Sequence, residues 1–305
     1  MLEKKIAVII ITYNSEKWIL ETLESVKNQT YNNIELIISD DCSMDKTVCL
    51  AQKWCNKNKE RFTRIKILTN NKNEGVTKNV NRGIKASSAK WIKLLAGDDI
   101  LFLDCLEKNI SYCVKNNLNN LFSKAIKFNA DFKEENIIQE NLEIEEFEYS
   151  AKDQFKTLLE KNFITAPTSF LKKSLIEEFE YFDEKYPMIE DYPMWLKLTE
   201  NNIKLNFLDD YTVYYRVHDK SLSGAKDIII NPKFLEFRKC LYKNYIREKV
   251  GLIFRYRENL MYLRYNDIIK KGNKRNLTII AIVTYILDPY SYIKVFKKLT
   301  KRKGA

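Results

Sequence analysis

The sequence predicts an α/β fold with a mostly parallel central sheet, helices on both faces, and a helical extension at the C-terminus. Three observations lead there. Strand-like and helix-like segments alternate through the first hundred residues. The strand-like segments are apolar on both faces, as parallel strands buried between helix layers are. Polar clusters follow the strands directly, where open α/β sheets bind ligands. With 305 residues and 45% hydrophobic composition, the chain can build one large domain or two smaller ones.

Ile6–Tyr13 is a β-branched apolar run and reads as the first strand. Ser15–Gln29 has helical spacing, with Trp18, Leu20, Leu23 and Val26 placed to share a face. Strands follow at Glu35–Ser39, Ile65–Leu68 and Trp91–Leu95, with helices at Asp45–Trp54 and Val76–Ala86. Right-handed crossovers put the C-termini of parallel strands on one edge. Thr12-Tyr13-Asn14 follows the first strand, Asp40-Asp41-Cys42-Ser43 the second and Gly97-Asp98-Asp99 the fourth, so three polar clusters should converge in one cleft. Beyond Asp104 the alternation weakens. Leu103–Lys115 and Ala151–Lys161 read as helices and Leu121–Asn129 as a strand. The acidic run Glu134–Glu148 reads as a solvated insertion or exposed hairpin. Pro167 excludes a regular helix in Phe163–Leu171. Pro193 suits a first helical turn, so a helix should begin just after Glu190-Asp191. Strand-like "IKLNFL" and "YTVYYRVHDKSLSG" follow.

The net charge of +11 is unevenly placed. Residues 233–305 hold 19 Lys/Arg against 5 Asp/Glu, or +14, while 1–232 carries −3. The bulk of the chain is therefore no obvious nucleic-acid binder, and the tail has no RNA-binding signature. Six cysteines occur without a C-x-x-C pair, which reads as reduced thiols rather than zinc or redox chemistry. The opening apolar run is short and β-branched and reads as a strand rather than a signal peptide. No stretch reaches the ~20 apolar residues of a membrane-spanning helix.

Five stretches, in order, resemble the family 2 inverting glycosyltransferases, which have the GT-A fold. They are "VIIITYNSEKWILETLESVKNQTYNNIELIISDDCSMDKT", "NEGVTKNVNRGI", "LLAGDDI", "IEDYPMWLKL" and "YRVHDKSLS". The resemblance spans residues 5–224. It implies a catalytic domain over 1–225, with a nucleotide-binding half at 1–103 and an acceptor half at 104–225, and a separate extension at 226–305.

The same resemblance implies roles. Asp41 would accept the N3–H of a uracil, Asp40 would brace the turn, and Thr12, Tyr13 and Asn14 would line the base pocket. Cys42 stands where relatives usually carry glycine. A nucleotide diphosphate would be repelled by Asp98 and Asp99 unless a divalent cation, Mn²⁺ or Mg²⁺, lay between them. Asp98 would thereby also bind the nucleotide, and His218, the only histidine, is a candidate further metal ligand. Ala96 replaces the first aspartate of the usual Asp-x-Asp. Lys78, Arg216 and Lys220 are candidate diphosphate contacts. Asp191 would be the general base of inverting transfer, with Glu190 the second candidate. Each carboxylate also has a plain structural alternative as a turn or helix cap.

The activity the resemblance implies is metal-dependent transfer of a sugar, UDP-linked, to a hydroxyl of a glycan or lipid-linked oligosaccharide in bacterial surface polysaccharide synthesis. Two rivals are a nucleotidyltransferase acting on sugar phosphates and a non-catalytic module that recruits partners to a membrane. In the tail, the eleven residues Leu277–Leu287 are too few to span a bilayer, and six basic residues follow them. A short apolar helix beside aromatic and basic residues suits an anchor on an anionic membrane surface. The expected location is cytoplasmic, peripheral at the inner face of the cell membrane. The alternative is a helical extension packed on the catalytic domain.

Overall fold

The structure, a computed structural model, describes residues 4–129, 137–138, 144–218, 232–271 and 279–288. The strands are β1 (Ile6–Thr12), β2 (Ile34–Asp40), β3 (Arg64–Thr69), β4 (Trp91–Ala96), β5 (Ile100–Leu101), β6 (Asn120–Asn129), β7 (Ile137–Ile138), β8 (Phe170–Lys172) and β9 (Phe207–Val217). The helices are α1 (Ile19–Lys27), α2 (Thr47–Asn58), α3 (Val76–Ala86), α4 (Cys105–Lys115), α5 (Ala151–Glu160), α6 (Lys173–Glu178), α7 (Asp191–Glu200), α8 (Pro232–Leu241), α9 (Leu252–Lys270) and α10 (Ile279–Leu287). They fall into two compact units, Met1–Val217 and His218–Ala305.

Among the described residues the strands form one sheet in the order β3-β2-β1-β4-β8-β6-β9-β5, with β7 paired to β6. β3, β2, β1 and β4 are mutually parallel. β1 and β2 are buried over nearly their whole length because strands pair on both sides and helices cover both faces. β8 enters antiparallel between β4 and β6, and β9 then runs parallel to β6. The strand order reverses between β1 and β4, which makes their carboxyl ends the expected crevice of such a sheet.

The apolar stripe of α1 differs from the sequence expectation. Ile19, Thr22, Leu23 and Val26 face the core, whereas Leu20 is exposed. The helix begins four residues later than expected, so the i, i+3, i+4, i+7 stripe starts at Ile19 and leaves Leu20 a turn-face away. In the acidic run, expected as a solvated insertion or exposed hairpin, Ile137 and Ile138 pair antiparallel with β6, as a hairpin would. Phe147 at its end is instead buried, stacked on Phe207 with ring centroids 4.4 Å apart. The two strand-like stretches expected after α7 resolve into the single β9.

In the second unit, α8 and α9 are tied by Arg238 and the buried Glu258 at 2.8 Å. No helix among the described residues is long and apolar enough to cross a membrane.

Candidate active site

Register sets three turns side by side. β1 ends with Thr12 opposite Asp40 of β2 and Ile11 opposite Ala96 of β4. Thr12–Asn14, Asp40–Ser43 and Gly97–Asp99 therefore leave the sheet as neighbours. A side chain on Gly97 would sit 2.8 Å from Thr12 Cγ2, so only glycine lets the β1 and β4 turns approach.

The first two turns are stitched together. Thr12 Oγ1 donates to Asp40 Oδ2 at 2.7 Å, and the Ser43 N–H donates to Asp40 Oδ1 at 2.8 Å. The Asn14 N–H donates to Ser43 Oγ at 2.8 Å, and Asn14 Oδ1 accepts the Met44 N–H at 2.9 Å. Asp40 is thus a brace. The side chains of Thr12 and Asn14, expected to line a base pocket, also tie the two turns together. Thr12 is buried, with its hydroxyl on Asp40. Tyr13 and Asn14 are the exposed members of the turn. Cys42 holds φ at +68°, the left-handed region, so the turn keeps the glycine-type conformation without the glycine.

Asp41 is 3% exposed and faces the loop between β3 and α3. Its carboxylate accepts the N–H groups of Glu74 at 3.0 Å and Gly75 at 2.8 Å, and Asn70 Nδ2 at 3.3 Å. The Glu74 N–H also reaches the second oxygen at 3.1 Å, so the buried carboxylate holds this loop with both oxygens. Gly75 has φ at +94°, and a Cβ there would lie 2.6 Å from the Pro187 carbonyl oxygen. From the first turn of α3, the Thr77 hydroxyl donates to the Tyr186 carbonyl at 2.5 Å. One turn further on, Asn81 Nδ2 donates to the Phe182 carbonyl at 2.8 Å, and Asn81 Oδ1 accepts the Phe182 N–H at 3.1 Å. The segment leading to Glu190 and Asp191 is therefore docked on α3. Sequence reasoning passed over Thr77 and Asn81. Their signal was a pair of polar residues four apart on one face of an otherwise apolar stripe.

At the third turn, the Arg216 N–H donates to Asp99 Oδ1 at 2.9 Å and Arg216 Nε donates to the Asp98 carbonyl at 2.7 Å. The guanidinium is also paired with Glu21 and lies 4.1 Å above Trp18 and 4.5 Å above Phe128. Its side chain has no exposed surface. Arg216 is therefore not the diphosphate contact expected from sequence. It is held between two rings as a brace for the Asp98-Asp99 turn, because inward positions of β9 face the core of the sheet. Lys78 is half-exposed on the first turn of α3, 3.8 Å from Glu74. His218 directly follows β9, and Lys220 lies outside the described residues.

A second tie runs from β4 toward Asp191. Lys93, fully buried within the strand, donates through Nζ to the Pro167 carbonyl at 2.5 Å. That fixes the segment after α5. At its start, Asn162 Nδ2 approaches Asp191 Oδ2 at 3.4 Å. Asp191 opens α7, with Glu190 at the cap position.

The glycosyl transferase family 2 model matches residues 7–179, more than half of the chain. The chain belongs to glycosyl transferase family 2. Over 223 residues this family 2 chain is 30% identical to UDP-Glc:alpha-D-GlcNAc-diphosphoundecaprenol beta-1,3-glucosyltransferase WfgD of Escherichia coli, covering 72% of this chain and 80% of that one. Among solved structures, S. aureus TarS 1–349 in complex with UDP-GlcNAc shares the fold with a TM-score of 0.59 at 19% identity, covering 86% of this chain and 72% of that one. The chain spans 43% of the longer TarS chain. Mannosyltransferase PcManGT of Pyrobaculum calidifontis, in complex with GDP-Man and Mn²⁺, gives a TM-score of 0.54 at 12% identity, covering all of this chain and 76% of that one. The architecture of this family 2 glycosyltransferase is the GT-A fold, as its sequence predicted.

In the family 2 site, burial dominates at Asp99 and at the Glu190-Asp191 pair. Asp99 is pushed well above the usual carboxylate range by burial and by the charge of Asp98. Its Oδ2 is buried with no hydrogen-bond partner. Asp98, beside it, is partly exposed. Two adjacent carboxylates, one oxygen of which is unsatisfied, fit a hard divalent cation that takes its remaining ligands from phosphate and water. Among the described residues no three His, Cys, Asp or Glu side chains gather into a protein-only metal site.

Asp191 is likewise raised by burial, against the lowering effect of the Tyr192 N–H, Asn162 and Trp195. The dipole at the N-terminus of α7 favours the ionised form of Asp191, and desolvation outweighs it. Glu190 is pushed up to about 8 by burial and then by the charge of Asp191. The charge of Asp191 thus favours a proton on its neighbour Glu190.

Proposed function

We propose that this glycosyltransferase moves a sugar from a UDP-sugar to a hydroxyl of a lipid-linked glycan with inversion at the anomeric carbon. The carrying observation is the docking of the Phe182–Pro187 segment on α3, which ties the lead-in to Asp191 to the loop that Asp41 holds. The exposed Tyr13, in the turn beside Asp41, suits a uracil. Lys78 suits the diphosphate. Asp98, with Asp99 behind it, would hold Mn²⁺ or Mg²⁺, and His218 is a further candidate ligand from its place in the chain. Once bound, the cation neutralises charge on the departing diphosphate.

Asp191 accepts the proton of the acceptor hydroxyl as that oxygen attacks the anomeric carbon. The bond from that carbon to the diphosphate oxygen breaks, and UDP departs from the opposite face. Single displacement of this kind inverts the configuration. A proton on Glu190, which the charge of Asp191 favours, would leave Asp191 to act as the base. The likeness to WfgD, whose name describes a diphosphoundecaprenol acceptor, supports a lipid-linked acceptor. The UDP-GlcNAc complex of TarS supports a UDP donor.

The deciding experiment offers UDP-sugars and a synthetic polyprenyl-diphosphate saccharide with Mn²⁺ present and measures released nucleotide and product configuration. Free UDP and an inverted linkage are expected. Pyrophosphate as product would replace this reading with nucleotidyl transfer. Asp191→Asn should lower kcat by roughly 100-fold or more, since general-base catalysis is worth that much, while UDP affinity stays unchanged. Full activity of that variant would remove Asp191 from the role.

A further inference from the structure

Helix α10 is built with its polarity reversed. Ile279, Ile282, Val283, Tyr285 and Ile286 are between 45% and 79% exposed. Thr284 and, just beyond the helix, Asp288 are the buried side chains, at 5% and 9%. Thr284 satisfies itself on the Ile280 carbonyl at 2.7 Å, and Asp288 lies 3.8 Å from Arg257 of α9. A helix in water turns the opposite way, apolar side inward. α9 adds to the same character, with Leu252, Ile253 and Leu263 exposed and Arg255, Arg257 and Arg264 interspersed among them.

We propose that α10 and the exposed side chains of α9 dock this chain on an anionic lipid surface. Length sets the mode of attachment: no described helix can cross a bilayer, so α10 lies on it. Charge chooses the occupant. Residues 233–305 carry +14, while the rest of the chain carries −3. Anionic headgroups complement that charge, whereas a second copy seated on the same face would bring another +14 against it. Lysine and arginine stems can lie along apolar surface while their heads reach headgroup phosphates. Six further basic residues, Lys294, Lys297, Lys298, Lys301, Arg302 and Lys303, follow α10 in the sequence. This docking is independent of the transfer chemistry, and its failure would leave that chemistry untouched.

The test is flotation of the full chain with vesicles of phosphatidylcholine alone and of phosphatidylcholine mixed equally with phosphatidylglycerol. Flotation on the anionic vesicles alone, weakened by high salt, is expected. Ile282→Asp with Ile286→Asp should weaken partitioning roughly tenfold or more, because charged groups replace apolar ones at the interface. Those positions are exposed, so thermal stabilisation by UDP should be unchanged, which verifies the fold. Lys298→Glu with Lys301→Glu probes the charge separately and should also weaken flotation. Equal flotation on neutral and anionic vesicles would overturn the proposal. So would absence of flotation combined with a concentration-dependent dimer that the Ile282→Asp, Ile286→Asp variant dissociates.

Discussion

Gly75 donates its N–H to Asp41 Oδ2 at 2.8 Å, and the same glycine lies so close to Pro187 that no Cβ fits between them. One residue thus touches both the carboxylate at the end of β2 and the segment that leads into α7. Asn at position 41 would turn an amide group toward N–H donors that need an acceptor. We expect Asp41→Asn to cost about 1–3 kcal/mol of stability, the penalty for leaving buried donors unpaired, and to weaken UDP binding. Melting temperature and calorimetric titration with UDP read the two effects. An unchanged melting temperature would show that the loop does not depend on Asp41.

Glu190 makes stability fall as pH rises. Its folded pKa, about 8, lies above the ordinary value of 4.5, so the folded state holds this proton more tightly than the unfolded chain. The stabilisation is complete below 4.5 and is lost as pH climbs through about 8. Glu190→Gln should flatten the melting temperature across that window. It should also remove any change in kcat near pH 8 while keeping the acid limb set by Asp191. A kcat profile identical to that of the parent enzyme near pH 8 would separate Glu190 from the reacting pair.

Chelation tests Asp98 and Asp99 as a cation seat. UDP should raise the melting temperature with Mn²⁺ present and lose that effect in EDTA. Asp98→Asn should behave like EDTA, because it removes the carboxylate that is partly exposed. Undiminished UDP stabilisation in EDTA would end the metal assignment.

Cys42 offers a gain in stability. Its φ of +68° costs a residue with a Cβ about 1–2 kcal/mol, part of which glycine returns through greater freedom in the unfolded chain. Cys42→Gly should therefore stabilise by up to about 1 kcal/mol, seen as a higher melting temperature with UDP affinity preserved. A lower melting temperature would mean that the thiol packs more strongly than the strain costs.

Much of the first half was legible because it rests on local pattern. β-branched runs gave β1, β2 and β4, and the residues after each strand had to share an edge once the strands were parallel. The stripe on α1 was misassigned by one residue because the helix starts at Ile19, a boundary set by the β1 turn rather than by propensity. Arg216 looked like a free cation in sequence. Nothing local showed that Trp18 and Phe128, far apart in the chain, would close over it. Lys93 was hidden inside an apolar strand for the same reason.

By itself the sequence determined the α/β class, the carboxyl edge and its acidic turns, and the resemblance to family 2, because periodicity and short motifs are properties of neighbours along the chain. Tertiary structure alone decided which polar groups are braces and which remain for a ligand. It turned Thr12 and Arg216 inward, left Tyr13, Asn14 and Lys78 exposed, and pressed Pro187 against Gly75. Those outcomes follow from burial and hydrogen bonds between residues tens to hundreds of positions apart, which only a packed sheet brings together.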